Sequence, residues 1–188
     1  MICCGCNTGT LMPVRLDQGT GPAGYQCNAC SGPLLSLAPY LDWAKAQAST
    51  SSSTTPSSSS EPFEGDAKDS KRALSCPKCS RLMLRFNVLA DKAHGLDFCF
   101  HCEEVWLDAG EWQYLKARDL HTRITTVSTD PYQRRLREQA ARDAAAQRFR
   151  GVVGEEGFDE VQRFADWLRQ QPAREAILRY LSNEARAA

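Results

Sequence analysis

Two copies of one cysteine pattern limit what this chain can become. Cys3 and Cys6 are followed after twenty residues by Cys27 and Cys30, and Cys76 and Cys79 after nineteen residues by Cys99 and Cys102. A C-x2-C turn sets two thiolates on one side of a metal ion with backbone amides pointing at them, and a second such turn completes a tetrahedral shell. The pattern therefore predicts two zinc ions per chain. Cys3, Cys6, Cys27 and Cys30 hold the first, and Cys76, Cys79, Cys99 and Cys102 hold the second. Neither copy of about 45 residues can bury enough apolar surface to fold alone, whereas a structural zinc supplies on the order of 10–16 kcal/mol.

The repeat extends beyond the ligands. Aligning Cys79 with Cys6 pairs Leu84 with Leu11 and Leu89 with Leu16, and aligning Cys102 with Cys30 pairs Leu107 with Leu35, Trp112 with Tyr40 and Leu115 with Trp43. Between the copies runs ASTSSSTTPSSSSEP, a composition that cannot offset its own chain entropy by burial. If residues 49–75 are all flexible they span roughly 30 Å, and the two copies are expected to fold separately. The layout expected for the 188 residues is a first, divergent ribbon over 1–48, a Ser/Thr-rich linker over 49–75, a second ribbon over 76–122 and an α-helical tail over 123–188. The fold class is a small metal-stabilised α+β protein, two zinc ribbons of short β-hairpins plus a helix each, joined by a disordered linker.

Helix signals follow each second knuckle. Asp108 is placed to cap a helix from Ala109, with Glu111 reaching back to complete a capping box. Trp112, Leu115 and Leu120 then face inward. In the first copy Ser36 is the candidate cap, Pro39 lies in the first turn, and the helix runs to about Gln47. In the tail, Asp130-Pro131 reads as a cap and first helical residue, followed by helix to Gly151. Gly151, Gly154 and Gly157 predict a loop, then an amphipathic helix from Phe158 to Pro172 and a last one carrying Ile177, Tyr180 and Leu181.

The second copy, CPKCSRLMLRFNVLADKAHGLDFCFHCEEVWLDAGEWQYL, resembles the bacterial zinc-ribbon family likened to transcription factor IIB. Cys76, Pro77, Cys79, Cys99, Cys102, Trp106, Leu107, Asp108, Gly110 and Glu111 match its C-P-x-C, C-x2-C and W-L-D-x-G-E elements. The first copy keeps the cysteines but has Leu34, Leu35 and Ser36 for Trp, Leu and Asp. The resemblance implies zinc binding and a link to transcription, and it implies no catalytic activity. Asn7, Ser31, Ser80 and Glu103 stand where that family has glycine after a knuckle.

Composition removes several classes of function. No stretch approaches the roughly 18 apolar residues of a membrane helix, and MICCGC lacks a basic and apolar leader, so nine cysteines are expected to be reduced thiols in a cytoplasmic protein. Phosphate, dinucleotide and metalloprotease motifs are absent. A shell of four protein sulfurs leaves no position for water or substrate, so the chain reads as non-enzymatic, with no small-molecule substrate. A thioredoxin-like site needs one C-x2-C pair beside a βαβ unit, not four pairs at zinc spacing. Cys4 reads as a free thiol, His101 as an exposed or supporting residue of a knuckle, and Trp106 as packed on the zinc knuckle.

The expected activity is contact with a protein partner through the two tethered ribbons, with the helical tail docking or self-associating. The alternative is nucleic-acid binding through the Arg-rich helix 131–150, with Arg134, Arg135, Arg137 and Arg142 as its contacts, or through the ribbons. The basic and acidic side chains balance at 23 each. Eight thiolates and two divalent ions then bring the protein to about −4, so phosphate attraction must be local to that helix.

Overall fold

A computed structural model describes residues 1–50, 72–90 and 92–187. Each half supplies three strands and one helix. The first half forms β1 (Leu11–Arg15), β2 (Ala23–Cys27), β3 (Pro33–Ser36) and α1 (Leu37–Thr50), and the second forms β4 (Leu84–Asn87), β5 (Gly95–Cys99), β6 (Glu104–Trp106) and α2 (Glu111–Ala117). The hairpins β1–β2 and β4–β5 are antiparallel, as the sequence predicts. Each knuckle sits at a strand end, so the hairpin register determines where its sulfurs point.

The two halves are not independent. β3 pairs antiparallel with β6 in the register Leu34↔Trp106, Leu35↔Val105 and Ser36↔Glu104, giving one six-stranded sheet in the order β1-β2-β3-β6-β5-β4. Leu34 and Trp106 are equivalent positions of the repeat, so the sheet order reads as each copy reversed against the other. Equivalent strands pairing antiparallel generate a pseudo-two-fold relation, the self-complementary geometry of a symmetric dimer folded into one chain. The separate folding expected from the tether's composition is thus replaced by a shared sheet. Of the linker 49–75, residues 51–71 lie outside the described residues. Positions 49 and 50 close α1, and Leu74 is buried in the core.

Two apolar clusters line the sheet. One gathers Leu35, Tyr40, Leu96, Phe98, Val105, Leu107, Trp112 and Leu115 from both halves, with Ile124 and Val127 of a short α3 (Ile124–Val127). The Tyr40 hydroxyl donates to the His121 carbonyl and accepts from the Ile124 amide, both at 2.9 Å, which ties α1 of the first half to the segment after α2. The other cluster surrounds the cysteines and includes Leu34, Leu74, Met83 and Trp106.

The helix starts differ from the expected caps. Ser36 ends β3 and its hydroxyl donates to Glu104 rather than capping α1. α2 begins at Glu111, preceded by Gly110 at φ 86°, and the return arm of the capping box forms, with the Glu111 carboxylate accepting the Asp108 amide at 2.7 Å. The Asp108 carboxylate accepts the Trp106 indole N–H at 2.9 Å. A buried indole donor 0% exposed needs that acceptor more than a short helix needs a cap.

The tail is helical. α4 runs Asp130–Arg169, its first bond from the Gln133 amide to the Thr129 carbonyl, and α5 runs Arg174–Ala187. Gly154 alone departs from helical geometry, at φ 76° and ψ 173°, so Gly151 and Gly157 lie in helix where the sequence predicts a loop. Residues 1–138 form one compact unit and 139–188 a second. The expected boundaries at 48, 75 and 122 therefore fall inside the first unit, because the shared sheet and the Tyr132 hydroxyl bond to the Val88 carbonyl at 2.7 Å draw the start of the tail onto it.

Candidate metal centres

Eight of the nine cysteines gather into two tetrads, Cys3–Cys6–Cys27–Cys30 and Cys76–Cys79–Cys99–Cys102, with the four sulfurs of each within 4.8 Å of one another. Cys3 Sγ stands 3.6 Å from Cys30 Sγ, Cys6 Sγ 3.7 Å from Cys27 Sγ, and Cys79 Sγ 3.6 Å from Cys99 Sγ. A disulfide needs about 2.05 Å. Four thiolates at about 2.3 Å from a central ion in a tetrahedron stand roughly 3.8 Å apart, which these separations match. Each tetrad could hold one metal ion.

The knuckles shape the sulfurs' surroundings. Amides of Cys6 and Gly9 point at the sulfurs of Cys3 and Cys6 at 3.4 and 3.3 Å, and those of Ala29 and Cys30 at Cys27 at 3.4 and 3.5 Å. To turn those amides inward the chain reverses after each second cysteine. Asn7, Ser31, Ser80 and Glu103 accordingly adopt φ between 55° and 62°, the left-handed conformation that glycine favours.

Proton affinity within a tetrad is split. Hydrogen bonding to Thr8 pulls the Cys6 thiol down to about 5, and the Arg81 amide pulls Cys79 down to about 7. Burial raises Cys3 and Cys76, and pushes Cys30 up to about 11. Cys102 rises to about 12, mainly through its hydrogen bond with Cys79. A cation entering either tetrad must displace protons from the raised thiols, so binding releases protons and weakens as pH falls.

Trp106 is the packing link between the centres. It belongs to the second half, yet a Cβ added at Gly5 would stand 2.5 Å from its Cζ2 and one at Gly32 2.4 Å from the same atom. Both glycines lie in the first half's knuckles. The ring is thus packed against a knuckle, but the knuckle is the other copy's.

Sequence reasoning missed the polar lock beside it. Glu104, 1% exposed, accepts from Ser36 Oγ at 2.7 Å and from Lys78 Nζ, joining β3, β6 and the Cys76–Cys79 knuckle. A carboxylate immediately before the apolar run Val105-Trp106-Leu107 was the available signal. Asp97 is likewise buried at 1% and is paired with Arg85 across the hairpin at 2.9 Å, and burial pushes it up to about 6.

The remaining candidates fall outside the tetrads. Cys4 is buried against Cys3 and Cys76 but is not a member of either tetrad. His101 is exposed. His94 stacks 3.9 Å from the Tyr114 ring, and His121 packs between Trp43 and Trp112. Arg134, Arg135, Arg137 and Arg142 are exposed on α4. Arg134 is paired with Glu138 at 3.0 Å and Arg135 donates to the Pro131 carbonyl, while Arg142 falls in the second compact unit. Among the described residues no helix is long and apolar enough to cross a membrane. No family model matches the chain, and no curated protein or solved structure matches it.

Proposed function

We propose that this chain is a non-enzymatic zinc-binding adaptor whose two ribbons, locked into one sheet, present a rigid surface to a protein partner. The observation that carries the reading is the pair of closed four-sulfur tetrads with tetrahedral sulfur spacing. Zinc is the metal such a shell suits when it serves as a fold element, since it has no redox chemistry and takes four thiolates without strain. With four protein donors on each ion no position is left for substrate, which supports a structural rather than catalytic role.

Protein contact is favoured by the surface of the second ribbon. β4 is an edge of the sheet, and Leu82, Leu84 and Phe100 beside it are 63%, 53% and 53% exposed. An uncovered apolar group on an edge strand, whose outer side has no neighbour, marks a candidate partner surface. A transcription-related setting for that partner is what the resemblance of the second ribbon implies. The arginines of α4 offer less to nucleic acid than their number suggests. Arg134, Arg135 and Arg137 spread over about 160° of the helix circumference at 100° per residue, and one is already ion-paired.

Elemental analysis of the isolated protein is expected to give two zincs per chain; a value near one, or iron with visible absorption, overturns the metal assignment. Partners recovered on the full chain after nuclease treatment are expected to be lost from Leu84→Glu/Phe100→Glu with zinc content unchanged. Recovery that depends instead on intact nucleic acid, and falls in Arg134→Gln/Arg135→Gln/Arg137→Gln, replaces the protein-contact reading with the nucleic-acid one.

A further inference from the structure

We propose that the second compact unit, residues 139–188, is a self-association module whose partner is a second copy of this chain. Its described residues gather into no buried apolar cluster. Among its described residues only Phe158 is a buried large apolar side chain, while nine others, from Phe149 to Leu181, are 37% to 83% exposed. Helices draw most of their stability from an apolar face packed on something else, and a unit this exposed lacks that something.

The apolar positions are ordered as stripes. Val161, Phe164 and Leu168 of α4 recur at i, i+3 and i+7, and Ile177, Leu178 and Leu181 of α5 lie on one side of their helix. The exposed members of the stripes, Val161, Phe164, Trp167, Leu178 and Leu181, offer on the order of 500 Å² per copy, so that two copies together reach the roughly 1,000 Å² that a specific interface must clear.

Charge selects a copy of this chain as the occupant. Residues 155–166 carry five acidic side chains against one basic, residues 139–150 three basic against one acidic, and residues 169–187 four basic against two acidic. The unit is neutral overall, and its signs are segregated along the chain. Neutrality favours association, and segregation makes the surface its own complement. A two-fold pairing sets the acidic stretch of one copy against a basic stretch of the other, which is how an isologous interface closes on itself.

The test is the mass of the full chain in solution. Sedimentation equilibrium at tens of micromolar is expected to return about twice the 20.9 kDa of one chain. Phe164→Glu/Leu181→Glu is expected to return the single mass while keeping the wild-type metal content, because the cysteine tetrads belong to the other unit. The threefold variant Glu156→Lys, Asp159→Lys, Glu160→Lys leaves the apolar stripes and the Arg150–Glu155 ion pair intact and is expected to dimerise at least tenfold more weakly at low salt. A monomeric wild type, a dimer surviving the apolar double variant, an assembly larger than two, or undiminished pairing of the charge-reversed variant would each overturn the proposal. None of these outcomes bears on the zinc reading, which rests on the tetrads alone.

Discussion

Left-handed backbone at Asn7, Ser31, Ser80 and Glu103 shows how much of a cysteine tetrad's geometry is decided by residues that contribute no sulfur to it. A side chain there costs about 1–2 kcal/mol relative to glycine, less for asparagine, and part of that is offset by the greater freedom glycine has when unfolded. Glu103→Gly is therefore expected to raise stability by about 0.5 kcal/mol in denaturant titration, and Asn7→Gly to leave it unchanged within a few tenths. Equal effects from the two would mean that the left-handed turn is not what distinguishes them. The carboxylate of Glu111 does comparable work in the second half. Glu111, 1% exposed, accepts the amides of Asp108 and Gly95. Each buried donor left without a partner costs about 1–3 kcal/mol, so Glu111→Ala, which strips two backbone amides of theirs, is expected to destabilise by at least about 2 kcal/mol in denaturant titration. Burial also pushes Glu111 up to about 8 from an ordinary 4.5. Its neutral form is then the one the fold prefers, so the associated stability is full below about 4.5 and is lost as pH rises through about 8. Thermal midpoints measured from about pH 6 to 9 are expected to fall for the wild type and to fall less for Glu111→Gln, which stays neutral.

At the scale of elements the decisive contact is β3 on β6. Trp106 fills the space that Gly5 and Gly32 leave, and Glu104 ties Ser36 to Lys78 across the same seam. Gly32→Ala puts a methyl 2.4 Å from the ring of Trp106 and is expected to cost about 1–3 kcal/mol by overpacking. Because the ring belongs to the second half, chemical-shift changes are expected at Val105 and Leu107 as well as near Cys30. Changes confined to the first half would remove Trp106 from its assigned place. This seam explains why the sequence was legible in some places and silent in others. Knuckle spacing, hairpins and helices are local, and cysteine spacing alone brings the tetrads within reach. The seam joins residues about 70 positions apart, and the apolar run Leu34-Leu35 signals a strand without naming its partner. A Ser-rich tether suggests independence, yet by holding two copies of a self-complementary unit at high effective concentration it also promotes their pairing. The tail's glycines misled for another reason: Gly151 and Gly157 fit a helix at a cost of about 1 kcal/mol each, and only Gly154 takes a conformation a helix forbids.

The first compact unit, taken as a whole, has two cysteine tetrads, each able to hold a metal ion, and one fold. Cys3, Cys27, Cys76 and Cys99 lie in a single buried cluster with Leu34 and Trp106, and the neighbouring cluster draws on both halves through Tyr40, Phe98 and Trp112. If each tetrad holds the zinc proposed for it, loss of either ion removes a wall of the core that the other half packs against. In a pair of independent ribbons Cys79→Ser would unfold residues 76–122 and spare the rest. The shared sheet predicts the opposite outcome. Amide dispersion is expected to collapse in both halves, and metal content to fall below one per chain, because the first tetrad alone must then offset the exposure of Leu34, Leu35 and Tyr40, each 0% exposed in the intact protein. The same coupling should appear on titration with a chelator as one transition rather than two, with protons taken up as the raised thiols of Cys3, Cys30, Cys76 and Cys102 are released. Intact dispersion of the first half in Cys79→Ser, or two separate chelator transitions, would show that the β3–β6 seam contributes too little to couple the sites, and would return the molecule to two ribbons on a tether.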